Sequence, residues 1–166
     1  MKKLLILSFL LLASPKAFAA APALLGEYGD WLAYSYKENG NPVCYMASTP
    51  KKDEGKYTKR GDIYVVITHR PKDKSYNVVN FVAGYEYKSG SPVTVKIGSR
   101  AFNKMFTDGD KAWAIDSVAD KELVEAMKKG DRMIVDGVSS KGTQTKDTYS
   151  LRGFSAAHKA ISAKCK

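Results

Sequence analysis

The 166-residue sequence predicts a mainly β protein: an antiparallel β-sandwich or partly closed barrel with one mid-chain helix and one C-terminal helix. Three observations favour this class. Apolar and polar residues alternate with a period of two through most of the chain, and ten tyrosines favour strands. The helical period occurs in only two segments, and short turn sequences separate the alternating ones. The strands are therefore expected to be many and short.

The N-terminus has the pattern of a secretory signal peptide. Two lysines precede an apolar run at 4–13, and the small-x-small sequence AFA follows at 17–19. The run is about ten residues long, whereas a membrane span needs roughly 20. We predict that residues 1–19 are cleaved and that residues 20–166 form a single β-rich domain. The mature chain is expected to be exported, without a transmembrane anchor.

The alternating segments are assigned as strands in chain order. Asn39-Gly40 predicts a hairpin between the first two strands, and the polar segment 51–61 predicts a charged loop. The third strand is rich in β-branched residues, which indicates a central position in a sheet. Turn sequences bound the others. The predicted strands are 30–37, 43–49, 62–70, 75–87, 93–98, 100–106, 111–115, 132–139 and 145–151.

Two segments have a helical pattern. The first is expected to begin with Ser117 as its N-cap and to stop at Gly130. In the second, from 154 to 165, apolar residues at helical spacing share one face with His158 and Cys165. The terminal helix is therefore expected to cover the β-structure with that face.

The chain contains two cysteines, Cys44 in the second predicted strand and Cys165 next to the C-terminus. Exported proteins enter an oxidising compartment, where two cysteines allow one intramolecular pairing. A Cys44–Cys165 disulfide would fasten the terminal helix to the first hairpin. Two free thiols, an intermolecular bridge and a reactive cysteine remain alternatives, although no C-x-x-C pair is present.

The mature chain is basic, since removal of residues 1–19 lowers the net charge from +10 to +7. Eight basic residues bracket the third predicted strand: Lys51, Lys52, Lys56, Lys59, Arg60, Arg70, Lys72 and Lys74. They could bind lipopolysaccharide phosphates or an acidic protein, and no nucleic-acid partner is expected. The alternative is a set of solvated loops, which is favoured because Asp53, Glu54 and Asp73 interrupt the basic runs.

Motifs for catalysis, metal binding or phosphate binding are absent from the sequence. His69 and His158 have no cysteine or histidine at ligand spacing, so no metal or cofactor is expected. His158 is expected to be a half-buried helix residue. Asp108, Asp110 and Asp116 are better explained by turn formation than by a calcium loop, because Lys111 interrupts them.

Six segments of the chain together form a recognisable pattern: YGDW, NGNPVCYM, GSPVTVKIG, FNKMFTDGDKAWA, LVEAMKKGDRMIVDG and TYSLRGFSAAHKAISAKC. Over roughly residues 28–165 this pattern resembles the invasion-associated locus B family of bacterial periplasmic proteins. Each motif alone is weak, but their order and spacing are specific.

The resemblance implies an exported β-sandwich-like protein from a Gram-negative bacterium, located in the periplasm, with outer-membrane association or secretion as further locations. The family is linked by name with host-cell invasion. It supplies no catalytic residues. In the family pattern a cysteine often lies four residues after the tryptophan and can pair with the cysteine of the second strand. Here that position is Ser35, which leaves Cys44 available to Cys165.

Three functional hypotheses follow. The leading one is a non-enzymatic binding or envelope-associated protein linked by family to host-cell invasion. The second is a periplasmic enzyme or enzyme inhibitor with a site built from loops, which clustered Asp and His side chains with perturbed pKa values would favour. The third is a surface-delivered virulence factor that binds a host molecule.

Overall fold

The structure, a computed structural model, describes residues 21–166; the predicted signal peptide lies outside the described residues. Two antiparallel sheets pack against each other. In the seven-stranded sheet the order is β1-β2-β3-β5-β6-β10-β9, and in the five-stranded sheet it is β4-β12-β11-β7-β8. Both sheets are open, so the arrangement is sandwich-like and not a closed barrel.

The strand bounds follow the predicted alternation closely. The seven-stranded sheet contains β1 (Ala23–Tyr28), β2 (Trp31–Glu38), β3 (Asn41–Ser48), β5 (Tyr64–Arg70), β6 (Ser75–Val82), β9 (Met105–Asp108) and β10 (Lys111–Ala114). The five-stranded sheet contains β4 (Lys52–Gly55), β7 (Thr94–Ile97), β8 (Arg100–Phe102), β11 (Arg132–Val138) and β12 (Gln144–Ser150). Asn39 and Gly40 both have positive φ, as the predicted hairpin requires.

The two predicted helices are present as α1 (Ser117–Lys129) and α2 (Phe154–Lys164). The predicted N-cap of α1 is wrong by one residue: Asp116 is the cap and accepts a hydrogen bond from the backbone N–H of Ala119 at 2.8 Å. Ser117 is already helical. No helix of the described chain is long and apolar enough to cross a membrane.

The core lies between the two sheets and is completed by the helices. Trp31 is fully buried, packs edge-to-face on Phe154 of α2 at 4.9 Å between ring centroids, and donates its indole N–H to the carbonyl oxygen of Ser150. Gly153 has a φ of +91° at the start of α2, and a Cβ there would overlap the carbonyl oxygen of Tyr28. Only glycine therefore allows α2 to begin this close to β1.

Four parts of the strand assignment are wrong. The segment 100–106 was predicted as one strand, but β8 and β9 belong to different sheets, and the chain crosses between the sheets at Asn103-Lys104. The predicted strand 75–87 ends at Val82, apart from an isolated bridge between Tyr87 and Ser139. β1 was not predicted, and β4 lies within the predicted loop 51–61.

A disulfide joins Cys44 of β3 to Cys165, the residue after α2, with 5.9 Å between the Cα atoms. Both cysteines are buried, and the bridge spans 121 residues of sequence. Ser35 is the direct cross-strand partner of Cys44 in the β2–β3 pair. The bridge therefore fastens the C-terminal end of α2 to the seven-stranded sheet, as the sequence predicted.

Asp120 of α1 is a buried carboxylate that contacts β6. Its Oδ1 accepts a hydrogen bond from the backbone N–H of Val79 at 2.9 Å, and the residue is only 7% exposed. Burial raises the pKa of Asp120 from 3.8 to about 6. Because the pKa is higher in the folded chain than in the unfolded chain, the folded state binds the proton more tightly. Stability therefore falls as the pH rises from about 4 to about 6, because the unfolded chain loses this proton before the folded chain does, and the loss is complete above pH 6.

We expect Asp120→Asn to increase the free energy of unfolding at pH 7 by about 1 to 3 kcal/mol, since each pKa unit corresponds to about 1.4 kcal/mol. The amide oxygen can still accept the hydrogen bond from Val79. The gain should shrink as the pH falls and approach zero at pH 4. Urea unfolding at both pH values measures it, with exposed Glu122→Gln on the same helix as the control. An equal gain at both pH values would contradict the argument.

Candidate binding cleft

The described chain has a cleft of about 580 Å³ formed by three segments. They are residues 56–61 between β4 and β5, residues 84–86 after β6, and residues 139–143 of the β11–β12 hairpin. The backbones of the first two segments touch: the N–H of Gly61 donates to the carbonyl oxygen of Gly84 at 2.8 Å. Gly84 has a φ of +70°, and a Cβ there would collide with Gly61. We refer to this concavity as the cleft.

Arg60 and Asp147 form a buried ion pair beneath the cleft. The two guanidinium nitrogens Nη1 and Nη2 donate to the two carboxylate oxygens at 2.7 and 2.6 Å, and the side chains are 3% and 5% exposed. Arg60 Nε also donates to the carbonyl oxygen of Ala83 at 2.7 Å. This pair connects the loop 56–61 to β12 and to the end of β6, and it fixes the shape of the cleft.

Two tyrosines pack around Arg60. The guanidinium carbon lies 5.4 Å from the ring centroid of Tyr57 and 4.9 Å from that of Tyr85, within the range of cation–π attraction. The Tyr57 hydroxyl donates to the carboxylate of Asp53 at 2.7 Å, and this hydrogen bond raises the pKa of Tyr57. Burial raises the pKa of Tyr85. Both phenols therefore remain neutral at physiological pH and add no negative charge to the cleft.

The charge at the cleft is positive. Exposed Lys56, Lys59 and Lys141 border it together with one carboxylate, Glu86, while Arg60 is neutralised by Asp147. None of these lysines forms an ion pair within residues 21–166. A wider concavity of about 770 Å³ on the five-stranded sheet is lined by two lysines and two carboxylates, so its charges balance. The cleft is the better candidate for an anionic ligand.

The structure distributes the eight basic residues of the sequence analysis over several places. Lys51 pairs with Asp30 at 2.6 Å and Arg70 pairs with Glu38 at 3.4 Å. Arg60 is buried and Lys52 lies in β4. Lys72 lies in a short 3₁₀ turn and Lys74 directly follows it. The turn is at the far end of β5 from the cleft, and a strand of seven residues is roughly 20 Å long. Only Lys56 and Lys59 of the eight contribute exposed charge to the cleft.

Lys141 was missed by the sequence analysis, as was the partner of Arg60. Lys141 lies in a Ser-Ser-Lys-Gly turn with no neighbouring basic run, and Asp147 is 87 residues from Arg60. No local sequence pattern indicates that Lys141 borders the cleft or that Asp147 pairs with Arg60. Only the pairing of β12 with β11 and β4 brings these residues to the loop 56–61.

The acidic turn residues have structural roles. Asp110 pairs with Lys111 at 2.9 Å, and Asp116 caps α1. Among the residues that the structure describes, no group of three or more His, Cys, Asp or Glu side chains could hold a metal ion.

The two histidines meet away from the cleft, where α2 covers the seven-stranded sheet. His69 Nε2 lies 3.1 Å from Ser162 Oγ, a distance typical of a serine nucleophile and its base. However, His69 Nδ1 accepts a hydrogen bond from the backbone N–H of Asn77 at 3.0 Å. The proton of the neutral ring is therefore on Nε2, which donates to Ser162 and cannot withdraw a proton from it. This geometry does not activate the serine.

Comparisons with known proteins agree with the fold. A family model described as "Invasion associated locus B (IalB) protein" matches residues 31–162. Among solved structures, the chain is similar to invasion associated protein b from Bartonella henselae, with a TM-score of 0.57 and 16% sequence identity over 87% of this chain and 97% of that one. At this identity the likeness concerns the fold alone. None of the curated proteins compared with the chain matches it.

Proposed function

The chain belongs to the invasion-associated locus B family, and from that premise we propose that it is an exported envelope protein that acts by binding an anionic partner. In this proposal residues 1–19 are removed on export, and residues 20–166 act as one domain in the periplasm or at the outer membrane. The role in host-cell invasion that the family name implies is part of the same proposal.

The observation that carries the binding function is the combination of a rigid frame with free positive charge at the cleft. Arg60, Asp147 and the two tyrosines hold the walls in place by buried hydrogen bonds and cation–π contacts. A site that is already ordered loses little conformational entropy on binding. The lysines Lys56, Lys59 and Lys141 then offer three ammonium groups without internal partners among the described residues.

The ligand class that fits is a phosphate-bearing envelope component, such as lipopolysaccharide, or a carboxylate-rich protein surface. Ammonium groups bind either kind of anion as point charges. The enzyme alternative has less support. The His69–Ser162 contact has the wrong proton arrangement for a nucleophile, and it lies outside the cleft.

We expect the triple variant Lys56→Gln/Lys59→Gln/Lys141→Gln to bind lipopolysaccharide about 100-fold more weakly than the natural sequence. The estimate assumes about 1 kcal/mol for each lysine near an anionic surface. Titration calorimetry with purified lipopolysaccharide at low and at physiological salt measures the loss. Affinity should also fall with salt for the natural sequence, and much less for the variant.

The matched control is Lys72→Gln/Lys74→Gln/Lys121→Gln, which removes the same charge from exposed residues away from the cleft. It should retain affinity within about twofold if the cleft is the site. Equal losses in both variants would mean that net charge and not the cleft governs binding. Dephosphorylated lipopolysaccharide tests the ligand: undiminished binding to it would refute phosphate recognition.

A further inference from the structure

Four polar side chains meet where α2 lies on the seven-stranded sheet. They are His69 of β5, Asn77 of β6, and His158 and Ser162 of α2. His69 is only 2% exposed, and the other three are half-buried. The two imidazole rings lie edge-to-face, with 5.4 Å between their centroids. The proposed binding function uses none of these four groups.

The hydrogen bonds of the four residues form a closed ring with a single direction. The Asn77 backbone N–H donates to His69 Nδ1 at 3.0 Å, and His69 Nε2–H donates to Ser162 Oγ at 3.1 Å. The Ser162 hydroxyl then donates to His158 Nδ1 at 3.5 Å, and His158 Nε2–H donates to the Asn77 side-chain oxygen at 2.7 Å. The ring begins and ends on Asn77.

The ring exists only with both imidazoles neutral. Each histidine uses one nitrogen as a donor and the other as an acceptor, and a protonated imidazole has two donors. Protonation of His69 at Nδ1 would place a new N–H donor directly opposite the N–H donor of Asn77, which then has no acceptor. Protonation of His158 would occupy Nδ1 and so remove the acceptor for the hydroxyl proton of Ser162. Either event breaks the ring at a partly dry interface, where an unpaired donor is unfavourable.

We propose that His69, Asn77, His158 and Ser162 form a pH-sensitive latch that holds α2 against β5 and β6 at neutral pH and releases the helix from these strands in acid. The latch joins two strands of the sheet to the helix. When it opens, the helix loses its polar attachment to β5 and β6. Its N-terminal turn remains packed through Phe154 on Trp31.

The surroundings oppose protonation of both rings. Burial lowers the pKa of His158 to about 4, with further lowering by Lys128 of α1 and by His69, whereas Glu125 of α1 acts in the opposite direction. Burial also lowers the pKa of His69, with a smaller lowering by Lys128, whereas hydrogen bonding to the backbone of Thr68 acts in the opposite direction. Lys128 pairs with Glu125 at 2.7 Å, which moderates both effects. The rings of Tyr76 and Phe154 also pack on the imidazoles of His69 and His158, respectively.

The disulfide makes the release reversible. Cys44 is the cross-strand partner of His69, and Cys165 follows Ser162 by three residues. The latch and the covalent bridge therefore fasten the same end of α2 to the same region of the sheet. With the bridge intact, the opened helix stays beside its docking site and can return when the pH rises.

The sign and size of the effect follow from proton linkage. A histidine whose pKa is lower in the closed than in the open state stabilises the closed state fully above the open-state pKa of about 6.5. That stabilisation is lost as the pH falls towards the closed-state pKa. With an open-state pKa of 6.5 and a closed-state pKa of about 4 for His158, the opening equilibrium of α2 should increase by about 10²-fold between pH 7.5 and pH 4.5.

The test uses the oxidised full mature chain. Nitrogen-15 NMR of the imidazoles should show both histidines as the Nε2–H form at pH 7, and both pKa values should lie below 6.5. Hydrogen exchange, corrected for intrinsic rates, should show protection of the α2 amides falling by about 10²-fold at pH 4.5. Protection of α1 should fall much less. An Nδ1–H form, a normal pKa for both rings, or parallel losses in the two helices would overturn the latch.

His158→Gln removes the titrating group and keeps an amide N–H directed towards Asn77. We expect its α2 protection to vary less than tenfold over the same pH range. Lys159→Gln, an exposed neighbour on the same helix, should behave like the natural sequence. If His158→Gln retains the full pH dependence, the latch is refuted. If this variant does not fold, the imidazole titration of the natural protein still tests the latch.

Discussion

Asp147→Ala is expected to lower the free energy of unfolding by about 3 to 5 kcal/mol, the largest effect of any single substitution considered for this protein. The substitution leaves the guanidinium of Arg60 without its bidentate partner at a position where the side chain is 3% exposed. A buried charge without a partner is far more unfavourable than the loss of one hydrogen bond. Urea unfolding at pH 7, followed by tyrosine and tryptophan fluorescence, measures the change.

The control for this prediction removes both charges. Arg60→Met/Asp147→Leu replaces the ion pair by apolar side chains of similar size, and it should recover most of the loss because neither charge then remains buried alone. If the double variant is as unstable as Asp147→Ala, the ion pair itself is stabilising and the explanation by an unpaired charge is wrong.

Removal of the disulfide is expected to have an effect of similar size. In the chain-entropy model, a bridge between residues 121 positions apart stabilises the folded state by about 5 kcal/mol. We expect Cys44→Ala/Cys165→Ala to lose about 3 to 5 kcal/mol, which corresponds to a fall in Tm of about 10 to 20 °C. Calorimetry measures the shift, and intact mass after alkylation, with and without reductant, verifies that the natural chain has no free thiol.

Two controls separate the bridge from the loss of side-chain atoms. Reduction of the natural protein breaks the disulfide without removing any side-chain atoms, so it should reproduce most of the shift in Tm. In Ser35→Cys/Cys165→Ala the new thiol lies directly across from Cys44, and the bridge would close a loop of about ten residues. This variant should recover about 2 to 3 kcal/mol. Its α2 amides should exchange as fast as in the variant without a bridge; restored protection would contradict the assigned role.

The sequence by itself determined the features that depend on local pattern or on simple counting. Period-two alternation located most strands, Asn39-Gly40 located the first hairpin, and the helical spacing located α1 and α2. Two cysteines leave one intramolecular pairing, so the Cys44–Cys165 bridge needed no knowledge of the topology. These features can be predicted because backbone geometry and side-chain periodicity depend on residues that are close together in the sequence.

Only the tertiary structure decided which segments become neighbours. Alternation shows which face of a strand is apolar and does not specify its partner strand, so the division of 100–106 between two sheets could not be predicted. The same reason explains why Arg60 was assigned to the surface: its partner Asp147 comes from β12, 87 residues away. The latch and the cleft each combine three segments, and charges on separate segments act together only after folding has brought them within a few ångströms.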